Sequence, residues 1–184
     1  MDPRPLRADA RRNQERLLTA ARDAFTEHGE KASLDDIVKR AGVGPGTLYR
    51  HFPNREALLA AVFTEEVTSL AARAEQLSAT LPPTAALTEF LRVQVEYGKC
   101  RKGVGVAVKA MFSSDCEVLQ WCRDILCGAI GVLLEAAQRE GQVRTDIEPA
   151  LVLRLGHGVA VASESAPDDS DRMLAIVIDG LRQR

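Results

Sequence analysis

The residues best equipped for chemistry lie in one short run. From Pro45 the sequence reads Pro-Gly-Thr-Leu-Tyr-Arg-His-Phe, and a helix through His51 sets Leu48 and Phe52 four apart on one anchoring face. Thr47, Tyr49, Arg50 and His51 then point outward in different directions, a combination suited to DNA. Arg50 can donate two parallel hydrogen bonds to O6 and N7 of guanine, and Thr47 can meet a thymine methyl or bond to a phosphate. Tyr49 and His51 suit phosphates, contacts that set register without reading sequence. Gly46 omits a side chain where the backbone would come nearest the bases. Ser33 at one helix start, and Asn54 with Arg55 at another, offer amides, side-chain donors and charge for further phosphates.

Positioning these groups requires a framework of helices. Leu17, Leu18, Ala21, Ala24 and Phe25 form one stripe of a first helix over about 12–28, which ends at Gly29. A loose arm, residues 1–11, precedes it with Arg4, Arg7 and Arg11. Ser33 caps a short second helix in which Leu34, Ile37, Val38 and Ala41 recur at i, i+3, i+4, i+7, and Gly42 stops it. Pro45 suits the first position of the third. Two short helices about a glycine-bearing turn make a helix-turn-helix, whose second helix enters the major groove. Asn54 caps a long fourth helix to about Gln76, with Leu59, Val62, Phe63, Leu70 and Leu77 inward. Pro82-Pro83 breaks the chain, and further helices are expected at about 84–99, 104–112, 114–140, 149–163 and 170–183. Residues 103–108 alternate like a strand, but Val104, Val108 and Met111 also fit a helix and no partner strand exists.

The expected fold is therefore all-α, with about nine helices. A three-helix N-terminal DNA-binding domain occupies residues 1–53, and a larger helical domain occupies 54–184.

Composition narrows the alternatives. At 184 residues, 46% hydrophobic and 27% charged, the chain is globular. No apolar run is long enough for a bilayer and Met1–Gln14 lacks a secretory h-region, so a cytoplasmic protein with no membrane partner is expected. The net charge of −2 argues against a surface coated in phosphate-binding groups, yet Lys and Arg outnumber Asp and Glu 11 to 9 in residues 1–60 and trail them 13 to 17 beyond. That asymmetry has the sign expected of an N-terminal end facing DNA. Cys100, Cys116, Cys122 and Cys127 match neither a CxxC pair nor a zinc set, and are expected as free thiols filling the core. Gly42 to Gly46 superficially resembles a nucleotide-binding loop, but that motif follows a strand and this one follows a helix. No nucleophile, base and orienter can be placed together, so no enzyme, metal or cofactor is expected. A DNA-binding architectural protein without an effector is the remaining alternative.

The run from Ile37 through Arg40-Ala41-Gly42-Val43-Gly44-Pro45-Gly46-Thr47-Leu48-Tyr49-Arg50-His51-Phe52-Pro53-Asn54-Arg55 to Leu59 resembles the DNA-binding signature of the tetracycline-repressor (TetR) family. The likeness covers about 50 residues from Arg12; Gly141-Gln142-Val143-Arg144-Thr145-Asp146 adds a weaker match. The resemblance implies a transcriptional regulator, most often a repressor, that binds palindromic double-stranded operator DNA as a homodimer, with recognition helices about 34 Å apart. It implies backbone contacts by Ser33, Thr47, Tyr49, His51 and Arg55, and base readout near Pro45, Gly46 and Arg50. Three positions depart from the pattern. Gly44 stands where Ser is common, Arg55 where Lys is usual, and Asp35 at an often basic or neutral site, where it either repels phosphate or accepts from cytosine N4.

In this family the larger domain binds a small molecule and dimerises. Phe63, Phe90, Tyr97, Met111, Phe112, Trp121, Cys122 and His157 can line a mostly apolar pocket for an apolar or aromatic effector, and each can equally fill the core. The last two helices carry Leu151, Leu155 and Val159, then Met173, Leu174, Val177 and Leu181, with Val152, Ala160, Ile176 and Ile178 on neighbouring faces. One face serves the core and another a partner, giving a four-helix interface between two copies.

Overall fold

A computed structural model describes residues 4–113 and 115–183, with side chains from residue 9 onward. Among these residues the fold is all-α: α1 (Arg4–His28), α2 (Leu34–Ala41), α3 (Pro45–His51), α4 (Arg55–Thr80), α5 (Pro83–Cys100), α6 (Lys102–Met111), α7 (Glu117–Arg139), α8 (Pro149–Ala162) and α9 (Ser170–Leu181). Short 3-10 turns at Gly29–Lys31 and Pro167–Asp169 complete it. No helix among the described residues is long and apolar enough to cross a membrane.

Helix boundaries follow local chemistry, and several ends differ from those expected, α4 running to Thr80 rather than to about Gln76. α1 starts at Arg4 rather than near Arg12, so the expected loose arm is mostly helical. Pro5 is tolerated in a first turn, nothing in the next residues breaks a helix, and Arg11–Glu15 and Arg12–Asp9 ion pairs brace it. The side chains of Arg4 and Arg7 lie outside the described residues. α7 begins at Glu117, and Ser114, its expected start, is also outside them. Residues 102–111 are helical, as the i, i+4, i+7 spacing of their apolar side chains requires.

The chain packs as two compact units. The first comprises residues up to Glu65 together with 101–118, so α6 joins α1 to α3 and the start of α4. The expected boundary after residue 53 falls within this unit. Leu17, Phe25, Ile37, Leu48, Leu58, Leu59 and Val62 are fully buried here, as are Val104 and Ala107 of α6. α6 comes close because position 103 lacks a side chain: a Cβ there would lie 2.3 Å from both the Phe25 and Thr26 carbonyl oxygens.

The second unit comprises residues 66–100 and 119–184. Its core joins Leu70 and Leu77 of α4, Leu87, Phe90 and Leu91 of α5, Ile130, Leu133 and Leu134 of α7, Val152 and Val159 of α8, and Leu174 and Leu181 of α9. The chain after α7 is tied to the C-terminal end by two backbone bonds, Arg144 N to Leu181 O and Gln183 N to Gln142 O, each 2.9 Å.

Candidate nucleic-acid interface

The helix-turn-helix is built from its caps. Ser33 Oγ accepts from Asp36 N at 3.4 Å and so fixes where α2 begins. Gly42 ends it in the left-handed region at φ 61°, a conformation costly for other residues, while Gly42 N donates to Lys39 O at 3.1 Å. Val43 and Gly44 complete the turn, and Pro45 opens α3. Asn54 Oδ1 accepts from Ala57 N at 2.8 Å, capping α4. From α1, Arg16 Nη2 donates to Gly42 O at 3.4 Å, and Arg40 on α2 forms a two-bond fork with Glu27 at 2.9 and 2.8 Å. That fork, with Asp36 at 2.7 Å, raises the Arg40 pKa above its ordinary value, and the Arg40 hydrogen bond lowers that of Glu27.

α3 is anchored and presented by the same spacing. Leu48 and Phe52 are buried, Tyr49 is 55% exposed, and Arg50, Pro45 and Gly46 are exposed. Thr47 and His51 are half-buried, the His51 ring 6.2 Å from that of Phe52. The Arg50 guanidinium lies back along the helix, its Nη2 4.0 Å from where a Gly46 Cβ would be. A long donor-bearing side chain therefore reaches back to the bare backbone at Gly46, with an exposed phenol on the same short helix. Ser33, Asp35 and Asn54 are exposed beside helix starts. Arg55 differs from the rest: it donates to the Ala32 and Glu30 carbonyls and stacks on Phe25, 5.3 Å from the ring centroid.

The residues expected around an effector separate by environment. In the first unit Phe63, Met111 and Phe112 are half-buried. In the second Phe90 and Cys122 are buried and Tyr97 is half-buried, but Trp121 and His157 are exposed. Those two therefore stand at the surface of this chain, apart from the buried Phe90 and Cys122. The cysteines divide likewise, since Cys122 is buried and Cys100 is exposed, which corrects Cys100 as a core-filling residue. Burial raises the pKa of the half-buried Cys127 thiol.

The sequence reading missed Glu66 and Gln94. Glu66 is buried and accepts a hydrogen bond from Tyr97 Oη, while Gln94 Nε2 donates to Leu153 O at 2.9 Å with Oε1 against Gly156. Their signal was present in the sequence: Glu66 interrupts the apolar stripe Val62, Leu70, and Gln94 the stripe Leu87, Leu91.

The expected partner face also needs correction. Val159, Leu174 and Leu181 belong to the second unit's core and are not available to another chain. Val152 and Val159, and Leu174 and Leu181, are each seven apart and turn inward together. Leu155, Met173 and Val177 are half-buried, and the large apolar side chains left in water are Leu151, Val161 and Ile176, the last 65% exposed.

Comparison with known proteins agrees with this layout. Residues 17–62 match the family described as bacterial regulatory proteins, tetR family, and residues 82–183 match the transcriptional regulator SbtR-like C-terminal domain. A TetR transcriptional regulator from Streptomyces coelicolor has a similar structure, with 36% identity, a TM-score of 0.75, and coverage of 92% of this chain and 98% of that one. A TetR regulatory protein from Mycobacterium vanbaalenii is 35% identical at the same TM-score, covering 97% and 99%. The HTH-type transcriptional regulator UidR of Escherichia coli (strain K12) is 25% identical over 154 residues, 82% of this chain and 79% of its own length.

Proposed function

The chain belongs to the tetR family of bacterial regulatory proteins and is a transcriptional regulator, and on that premise we propose that it is a repressor that binds a palindromic operator in the cytoplasm as a homodimer. The observation that carries this reading is Tyr49 and Arg50 held in solvent on a helix whose Leu48 and Phe52 are locked in the core. A seven-residue helix has little stability of its own, so its side chains are aimed by that anchoring. Arg50 reads a guanine edge, and Ser33, Thr47, Tyr49, His51 and Asn54 hold phosphates on either side. Pro45 and Gly46 let the backbone approach, and Asp35 selects against or accepts from the neighbouring base.

Dimerisation is supported by the solvent-facing apolar residues of α8 and α9. Leu151 and Val161 of α8 and Ile176 of α9 stand in water beside Leu155, Met173 and Val177, which are half-buried against the core, and a second copy would cover them. The released state is reached through a small, largely apolar or aromatic effector, and Glu66 with Tyr97 supplies the polar pair that selects among such molecules.

Selection of bound duplexes from random DNA, repeated with a panel of small molecules, tests the whole reading. An enriched inverted repeat with half-sites about one helical turn apart is expected, together with loss of binding in the presence of one compound class. Absence of any enriched motif would overturn operator binding, and an enriched single half-site would overturn the homodimer.

A further inference from the structure

We propose that Arg55 is a positioning residue, which fixes the start of α2 against α1 and α4, rather than one of the phosphate contacts. The inference rests on the DNA-binding reading above. One guanidinium touches three elements: it belongs to the first residue of α4, stacks on the fully buried Phe25 of α1, and donates from Nη1 to Ala32 O and from Nη2 to Glu30 O. Ala32 is itself buried, and the next residue, Ser33, caps α2.

The 3-10 turn at Gly29–Lys31 explains why a fork is needed there. Its closing bond, Ala32 N to Gly29 O at 3.3 Å, leaves the Glu30 and Ala32 carbonyls outside any helix ladder. The carbonyl of the buried Ala32 would be costly without a donor, and one planar guanidinium supplies it together with the exposed Glu30 carbonyl while its face meets an aromatic ring. Lysine offers a single ammonium that cannot do all three. This accounts for arginine at a position where the resemblance leads one to expect lysine. The charge sits at the first residue of α4, the end where the helix dipole disfavours a cation. Attraction to the two carbonyls, not support of α4, holds it in place. Operator affinity then depends on Arg55 through where Ser33 and α2 are placed.

Arg55→Lys and Arg55→Met in the full-length protein, compared with the unaltered chain, decide the matter in two measurements. Operator affinity is measured across a salt series at a temperature where circular dichroism shows all three proteins folded. Both variants are expected to bind about tenfold to a hundredfold more weakly, the scale of losing hydrogen bonds to a charged group, with an unchanged slope of log affinity against log salt. Amide exchange in the DNA-free protein is expected to speed up across residues 30–34 in both. Full affinity in Arg55→Lys with a slope reduced by about 0.9 per subunit in Arg55→Met would mean a phosphate contact and overturn the proposal. Unchanged affinity with only a lower melting temperature would reduce Arg55 to a stability role and overturn it too. If the unaltered chain binds no operator, the DNA-binding reading fails by itself, and amide exchange still decides whether Arg55 pins residues 30–34.

Discussion

Gly103→Ala isolates the contact that brings α6 into the first unit. A Cβ at position 103 would stand 2.3 Å from Phe25 O, 2.3 Å from Thr26 O and 2.7 Å from Thr26 C. All three are backbone atoms, so no rotamer change relieves the overlap. Restoring ordinary contact requires α6 to withdraw by about 1 Å, which opens the packing around the buried Val104, Ala107 and Val108. Overpacking of this kind costs about 1 to 3 kcal/mol. Gly105→Ala is the internal control: it lies in the same helix, has nothing within 4 Å of its would-be Cβ, and should gain about 0.5 to 1 kcal/mol from helix propensity alone. Both variants receive that gain, so the difference between them measures the overlap. Urea unfolding followed by far-ultraviolet circular dichroism should place Gly103→Ala below Gly105→Ala by about 1 to 3 kcal/mol, with melting temperatures separated by about 2 to 4 °C per kcal/mol. Equal stability of the two variants would refute the close packing of α6 on the α1 carbonyls.

Three further outcomes are expected. Arg50→Ala should cost about 1 to 3 kcal/mol on the selected operator and relax preference at one base pair; an equal loss on random DNA in the same titration would contradict base readout. Ile176→Lys, at a side chain 65% exposed, should convert the sedimenting species from dimer to monomer at micromolar concentration with unchanged circular dichroism; a variant that stays dimeric moves the interface off α9. Glu27→Gln should lower stability near neutral pH and have no effect in acid. The Arg40 hydrogen bond depresses the Glu27 carboxyl in the folded protein. Its stabilisation is therefore present above the unfolded carboxyl pKa of about 4.3 and is lost as pH falls through the lower folded value. A difference between Glu27→Gln and the unaltered chain that does not shrink as urea titrations are carried down through the acid range below the unfolded carboxyl pKa would rule that pair out as its origin.

Local structure was the most legible part of the sequence because its causes are local. Ser33, Gly42, Pro45 and Asn54 each act on backbone groups within three or four residues, so their types announce the helix ends, and the spacing of Leu48 and Phe52 marks them as anchors. α1 begins earlier than its apolar stripe indicates, for the complementary reason. Helix propensity alone does not separate an arm from a helix, and residues 4–11 contain no stop.

Faces were harder to read than ends. α8 and α9 are apolar on more than one side, and composition does not say which side meets its own core. The seven-residue spacing of Leu174 and Leu181 groups them on one face but leaves open whether that face turns inward; burial of both in the second unit's core decides it. Glu66 shows the same limit from the polar side. Glu65 and Glu66 are adjacent and chemically identical, yet Glu65 reaches Arg22 at 2.5 Å on the surface while Glu66 is buried against Tyr97. Only the register of α4, with Val62 and Leu70 on the stripe that Glu66 shares, distinguishes them. A carboxyl group is disfavoured on such a stripe unless a partner meets it, so a polar residue that keeps perfect step with apolar neighbours is a stronger pointer to function than the apolar residues around it.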